Sequence, residues 1–255
     1  MPFLLSFVFP TPQLELAGGG LLILMLLRWL HTTAGILWVG LLYYFNLVST
    51  PFLKELDTPT RTIVVPKLMP RALWWFRWSS FVTVLAGIAY WMHIVATDVR
   101  YAVAAGLPVS GGRISASFFI IWTIAFALEM GILMSPAEVL KRGPVLGILV
   151  ALIVFAAAYL FVGMNQHGWE TNRSLAIGVG GGLGWFMMMN VWGIIWRMHK
   201  KMIRWTEAAA RGEALPLEFA KVARLAYLTS RVNFWLSFPM LFFMGAASHY
   251  SLFAG

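Results

Sequence analysis

PVLGILVALIVFAAAYLFVGM, residues 144–164, contains no charged side chain and is long enough to cross the hydrocarbon core of a bilayer, which needs about 20 mostly apolar residues in a helix. Working outward, further apolar segments lie at roughly 20–50, 72–97, 114–134, 173–198 and 228–250. The expectation is an all-α integral membrane protein, a single domain over 1–255 built as a bundle of six transmembrane helices. Composition agrees: 60% of the residues are hydrophobic and only 11% are charged, too few polar groups to cover a soluble domain. The first segment is overlong, so either its helix projects beyond the bilayer or residues 14–27 form a separate interfacial piece. MPFLLSFVFP at the start lacks a basic leader and is expected to be an uncleaved arm.

Basic residues fall almost entirely on one side of such a bundle. The first connection and its flanks carry Lys54, Arg61, Lys67, Arg71 and Arg77, and the third carries Lys141 and Arg142. The fifth carries Arg197, Lys200, Lys201, Arg204, Arg211, Lys221, Arg224 and Arg231. The other side has Arg100, Arg113 and Arg173. Because cytoplasmic loops collect Lys and Arg, both termini are expected in the periplasm of a bacterium, with the chain a multi-pass inner-membrane protein. The net charge of +9 then reports these loops in contact with the lipid bilayer surface and not nucleic acid.

With no cysteine in the chain, disulfides, thiolate metal sites, iron–sulfur clusters on Cys and thioether-attached haem are excluded. Histidine is the residue type to follow. His31, His93 and His249 lie near the outer ends of three expected helices, and His167 follows a fourth on the same side; His199 belongs to the basic side. Imidazoles at one depth on separate helices are what a membrane haem or a metal centre requires. Small residues sit one turn away on the same faces: Ala34 and Gly35, Ala89, Gly245 and Ala246. They leave room for a flat macrocycle or a close helix. Arg28, one turn before His31, suits haem propionates. Each histidine taken alone could equally satisfy a backbone carbonyl or face headgroups.

A second polar layer is expected in the inner half: Asn46, Ser79, Ser80, Glu129, Asn190 and Asn233. A carboxylate within a span marks a functional site or proton path by default. Glu129 is therefore a candidate proton-carrying group, for a quinone or another bound substrate; as a packing residue it would pair with Arg77 or Arg231. GVGGGLG at 178–184 is not a phosphate-binding turn, since it lies inside an apolar span. Its Gly178/Gly182 and Gly180/Gly184 repeats favour close packing. Met187, Met188 and Met189 point around their helix and are expected to pack. Trp74, Trp75 and Trp78 read as interfacial anchors. TEAAARGEALPLEFAKVAR, residues 206–224, is expected to form short interfacial helices broken around Gly212 and Pro216.

RWLHTTAGILWVGLLYYFN at 28–46, LMPRALWWFRWSSFVTVLAGIA at 68–89, MNVWGIIW at 189–196 and NFWLSFPMLFFMGAASHY at 233–250 resemble, in order, the membrane domain of bacterial membrane-bound urate hydroxylase. The pattern LHxxAxxxWxG of the first stretch is also similar to the HemJ-type protoporphyrinogen oxidases, whose equivalent histidine is thought to hold haem b, and to the copper-resistance D membrane proteins. The resemblance implies a helical domain that works with a c-type cytochrome as electron acceptor. It carries over His31, Trp38, Gly40, Asn190, Asn233, Pro239, His249 and Tyr250. The chain departs from it at Ser79, where the family has an acidic residue, and at Arg231 and Val232, one of which stands where a histidine is expected. It also shows no CxxCH haem-attachment motif, so the acceptor is expected to be a separate protein.

Together these readings give an expected membrane-embedded, haem-b-binding electron-transfer protein or oxidoreductase subunit. It would pass electrons to a periplasmic c-type cytochrome or a larger redox complex. His31 and His249 are the expected axial ligands. His93 is their substitute, and it could share a second haem with His167. The alternatives are an enzyme oxidising urate or a related heterocycle, a copper-handling protein using the same histidines, and a non-catalytic subunit of a membrane complex.

Overall fold

The computed structural model describes residues 19–253; the expected N-terminal arm lies outside them. Six long helices make up the described chain: α1 Gly19–Glu55, α2 Thr58–Ala104, α3 Gly112–Met134, α4 Gly143–Asn165, α5 Asn172–Ala210 and α6 Phe219–Ala246. No strand occurs among the described residues. The first five are long and apolar enough to cross a membrane, and the chain is a membrane protein.

Their order alternates between two ends of the bundle. Connections 56–57, 135–142 and 211–218 lie at one end, called here the basic end. Connections 105–111 and 166–171 lie at the other, the histidine end. α4 starts and stops within a residue of the apolar run that announced it. α2 does not: it begins at Thr58, four turns before the expected start, and its 47 residues extend about 70 Å at 1.5 Å per residue. A hydrocarbon core is only about 30 Å thick, so α2 projects well past it. Asp57 starts it early by accepting the Thr60 N–H at 3.1 Å, an N-cap that satisfies one of the orphan donors of the first turn. α5 likewise runs on to Ala210, and the projecting parts of α2 and α5 pack on one another. Residues 206–224 are thus no pair of interfacial helices. They are the end of α5, a break containing Gly212 at φ +93°, and the start of α6.

The first helix is continuous from Gly19, with no separate piece among residues 19–27. It packs mainly on α2, while α6 packs on α5, and α2 also meets α5. Glycines set how closely these pairs approach. A Cβ on Gly180 would lie 3.3 Å from both Met240 O and Met244 N of α6, so the two backbones nearly touch. Gly178 and Gly182 instead receive aromatic rings, those of Phe161 and Trp122. The histidine end is tied together by polar contacts. Trp91 Nε1 donates to Ser174 O at 2.9 Å, Thr171 N and Oγ1 both donate to Asp98, and Asn172 bonds the segment 247–253.

Two π-helical turns interrupt the long helices, Tyr44–Ser49 in α1 and Val191–Ile195 in α5. One contains Asn46, and the other follows directly on Asn190. π-turns widen the hydrogen-bond ladder and recur at functional sites.

A candidate cofactor cavity and a buried polar cluster

His31 projects from α1 toward α2. Its Nδ1 lies 2.7 Å from the backbone oxygen of Thr83. A carbonyl only accepts, so Nδ1 is the donor, and in the neutral imidazole the lone pair is then on Nε2. The ring rests against Gly87, where a Cβ would come within 2.7 Å of Nδ1 and 2.8 Å of Cε1. The Thr83 hydroxyl takes no part in this bond and turns back to Ser79 O at 2.7 Å.

The imidazole lines a half-open cavity of about 600 Å³ between α1, α2, α5 and α6, with Phe118 of α3, within the range of about 300–1,000 Å³ usual for ligand and cofactor pockets. Four features of its wall bear on what it can hold. Six glycines line it, Gly35, Gly40, Gly87, Gly181, Gly184 and Gly245, and at Gly40 and Gly245 no atom lies within 4 Å of where a Cβ would stand. Arg28 and Arg173 both line it, and Arg173 donates to Tyr90 Oη at 2.8 Å. Two buried N–H groups in the wall, Trp38 Nε1 and Arg173 Nε, have no acceptor among the described residues. Met240 and Met244 line it from α6.

Contacts fix the relative depths of these groups. A Cβ on Gly184 would lie 3.7 Å from Met240 Sδ and 4.0 Å from Val84 Cγ2, which puts those three residues in one layer. A Cβ on Gly181 would lie 3.7 Å from Met244 Cε. Gly181 is three residues from Gly184 toward the histidine end, and Gly87 is three residues from Val84 in the same direction. Each step is about 4.5 Å, so His31 with Gly87, Gly181 and Met244 form the next layer.

The other expected histidines stand elsewhere. His93 is exposed and outside the cavity wall. His167 is exposed and held by Glu170, which accepts from its N–H at 2.8 Å and meets Nδ1 at 3.1 Å. His249 is exposed in the turn after α6, its N–H bonded to Ala246 O at 3.0 Å; its neighbour Ser248 reaches the wall but His249 does not. Of the residues singled out at this end, the structure brings His31 and Arg28 together. Arg173, Tyr90 and Met244 join them. Spacing could have flagged the methionines, since Met240, Met244 and Ser248 recur every fourth residue along one helical face.

Of the expected inner layer, Glu129, Asn190 and Asn233 are joined, while Ser79 and Ser80 turn back to Phe76 O and Arg77 O of their own helix. Asn190 Nδ2 donates to Glu129 Oε2 and to Asn233 Oδ1, each at 2.9 Å, and Asn233 Nδ2 donates to Met187 O at 2.9 Å. All three residues are fully buried. Glu129 Oε1 and Asn190 Oδ1 have no donor among the described residues, so two acceptors wait in an apolar interior. Neither arginine expected as a packing partner pairs with Glu129. Arg77 lies against Trp196, Trp192 and Trp78, at 4.0, 4.9 and 5.3 Å to the ring centres, and Arg231 stacks on Phe234 at 5.0 Å. Asn46 is bonded separately, to Leu42 O and Ser230 Oγ.

A larger cleft of about 1120 Å³ between α4 and α6 has a mainly apolar wall with Gln166, Tyr159, Tyr227 and Arg231 in it, and offers no histidine, methionine or carboxylate. No cluster of three or more His, Cys, Asp or Glu side chains able to hold a metal ion occurs among the described residues.

The family model described as urate oxidase N-terminal matches residues 56–255. The match takes in Asn190, Asn233 and His249, while the stretch containing Arg28 and His31 precedes it. No curated protein and no solved structure matches the chain.

Proposed function

The chain belongs to the urate oxidase N-terminal family, and from that premise we propose that it is a membrane-embedded, haem-b-binding redox subunit related to urate hydroxylase. The observation that carries the proposal is the setting of His31: its Nδ1 is anchored on Thr83 O, and its ring stands in the wall of a cavity that six glycines help to line. Metal-ligating histidines are held in this way, the second ring nitrogen donating to a carbonyl or carboxylate that fixes tautomer and orientation.

The residues fit the group. His31 would ligate the iron, and Arg28 and Arg173, both in the cavity wall, would hold its propionates through their guanidinium groups. Trp38 Nε1 and Arg173 Nε supply donors that have no protein acceptor. When bound, haem b supplies a reversible one-electron centre whose potential follows ligand identity and burial. The apolar bundle keeps water from that centre and holds the imidazole in place. The uneven distribution of basic residues supports a histidine end that faces the bacterial periplasm, and the proposed electron acceptor there is a c-type cytochrome or a larger redox complex. In the basic half, Glu129 with Asn190 is the proposed proton-holding group.

Oxidation of urate or a related heterocycle within the chain itself is the second reading, and family membership favours it. The cavity argues for the first, because about 600 Å³ is far more space than a bicyclic purine fills. Copper handling has less support, because the histidines it would use do not meet.

Purified His31→Ala and His249→Ala proteins separate the roles of the histidines. Loss of haem from the first, with normal membrane insertion, is the expected result. Full haem retention would remove His31 from the ligand set and overturn the reading.

A further inference from the structure

We infer that Met244 Sδ is the second axial ligand, facing His31 across the cavity; the inference rests on the haem reading above and specifies its coordination. Among the side chains that line the cavity, those with a donor atom suited to haem iron are His31, Met240, Met244, Tyr43 and Tyr90. The two phenols are engaged: Tyr90 Oη accepts from Arg173 at 2.8 Å, and Tyr43 Oη lies 3.1 Å from Ser237 Oγ, to which it donates because the Ser237 proton is committed to Phe234 O at 2.7 Å. Met240 is buried one layer deeper, packed against Gly184. Met244 shares the layer of His31 and Gly87 and is only half-buried.

The opposing walls differ in a way that suits this pairing. On the α1–α2 side the imidazole is locked by Thr83 O and Gly87. On the α5–α6 side Gly180 draws α6 so close that Met244 is delivered at backbone contact distance; a Cβ at Gly181 would lie 3.7 Å from both Met244 Cε and the Phe118 ring, while Gly245 has nothing within 4 Å. An unbranched side chain with three torsions can swing to meet a ligand that the rigid imidazole positions. A thioether is a soft ligand for haem iron, and His/Met coordination raises the reduction potential above that of two imidazoles. His249, on the last turn beyond α6, would have to turn inward past Ser248 to reach the same position.

The test uses the purified full chain and its Met244→Leu, Met240→Leu and His249→Ala variants, followed by absorption, electron paramagnetic resonance and potentiometric titration. Wild type is expected to show low-spin haem with the sulfur-to-iron charge-transfer band of the oxidised state. Met244→Leu should keep haem through His31, lose that band and shift toward high spin, while Met240→Leu and His249→Ala keep it. Met244→His should restore a low-spin spectrum without the band, at a lower midpoint potential than wild type. An unchanged spectrum in Met244→Leu, or loss of the low-spin state in His249→Ala alone, overturns the inference and leaves haem binding standing. A wild-type chain without haem overturns both.

Discussion

His31 and Thr83 are joined by a 2.7 Å hydrogen bond from imidazole Nδ1 to a backbone oxygen. This bond between α1 and α2 decides which face of the ring is chemically available. Gly87, one turn further along α2, is the other half of the arrangement. A Cβ there would lie 2.7 Å from Nδ1, closer than atoms pack, and the ring is too short to bend away as a flexible chain would. Gly87→Ala should therefore displace the imidazole and weaken haem retention by about 10–100-fold, the usual cost of disturbing the group that orients a metal-ligating histidine. Haem-to-protein ratio after purification and dilution measures it; a ratio equal to wild type would mean that the ring position does not matter.

Arg173 and Tyr90 form a second pair at the cavity, 2.8 Å apart. If the arginine holds a propionate, Arg173→Ala should lower haem affinity more than Tyr90→Phe, which removes only the hydroxyl that the guanidinium rests on. Arg173→Lys should recover part of the loss, since charge remains while the planar fork is gone. Haem titration of the three apo-proteins ranks them. Equal affinities would separate Arg173 from the site.

Asn190 is the hub of the buried polar cluster, its single amide nitrogen serving Glu129 and Asn233 together. Asn190→Leu leaves both acceptors without a donor, and a buried group stripped of its partner costs about 1–3 kcal/mol. Glu129→Gln keeps an acceptor for Asn190 and adds a donor where two oxygens had none. The stability of Glu129→Gln should then match or exceed wild type while Asn190→Leu falls well below it. Thermal unfolding in detergent orders the two, and the reverse order would contradict the hydrogen-bond assignment.

Glycines in α4 and α5 differ in what they permit. Gly182 holds the indole edge of Trp122 where a Cβ would stand, whereas Gly163 on α4 has nothing within 4 Å. Gly182→Ala should destabilise by about 1–3 kcal/mol, the range for overpacking a filled interior. Gly163→Ala should be neutral or better, because alanine suits a helix more than glycine. A melting point for Gly182→Ala equal to wild type would mean that Trp122 has another place to go.

The helices were legible because a bilayer imposes a length and an apolar composition, and α4 carries both without interruption. The projecting parts of α2 and α5 were not legible. Arg61, Lys67 and Arg71, then Lys200, Lys201 and Arg204, end the apolar windows while the backbone goes on turning in water. Depth along a helix follows from sequence, which is why Glu129, Asn190 and Asn233 could be placed in one layer that the fold then joins. Azimuth follows less well. His93 lies six residues after Gly87, a rotation of about 240° at 3.6 residues per turn, and so faces away from the cavity that Gly87 lines. Arg173 was counted only as a loop charge, because nothing in its neighbourhood announces that α5 starts beside α1 and α2. Met244 was hidden among fourteen methionines, most of which have packing to do.

The most direct test of the account is the reduced-minus-oxidised absorption spectrum of the purified chain, expressed in haem-sufficient cells, with the haem then extracted and identified. The account predicts a b-type α-band at about one haem per chain, bound non-covalently, as a protein without cysteine requires. An intact, folded chain that shows no haem spectrum would contradict it.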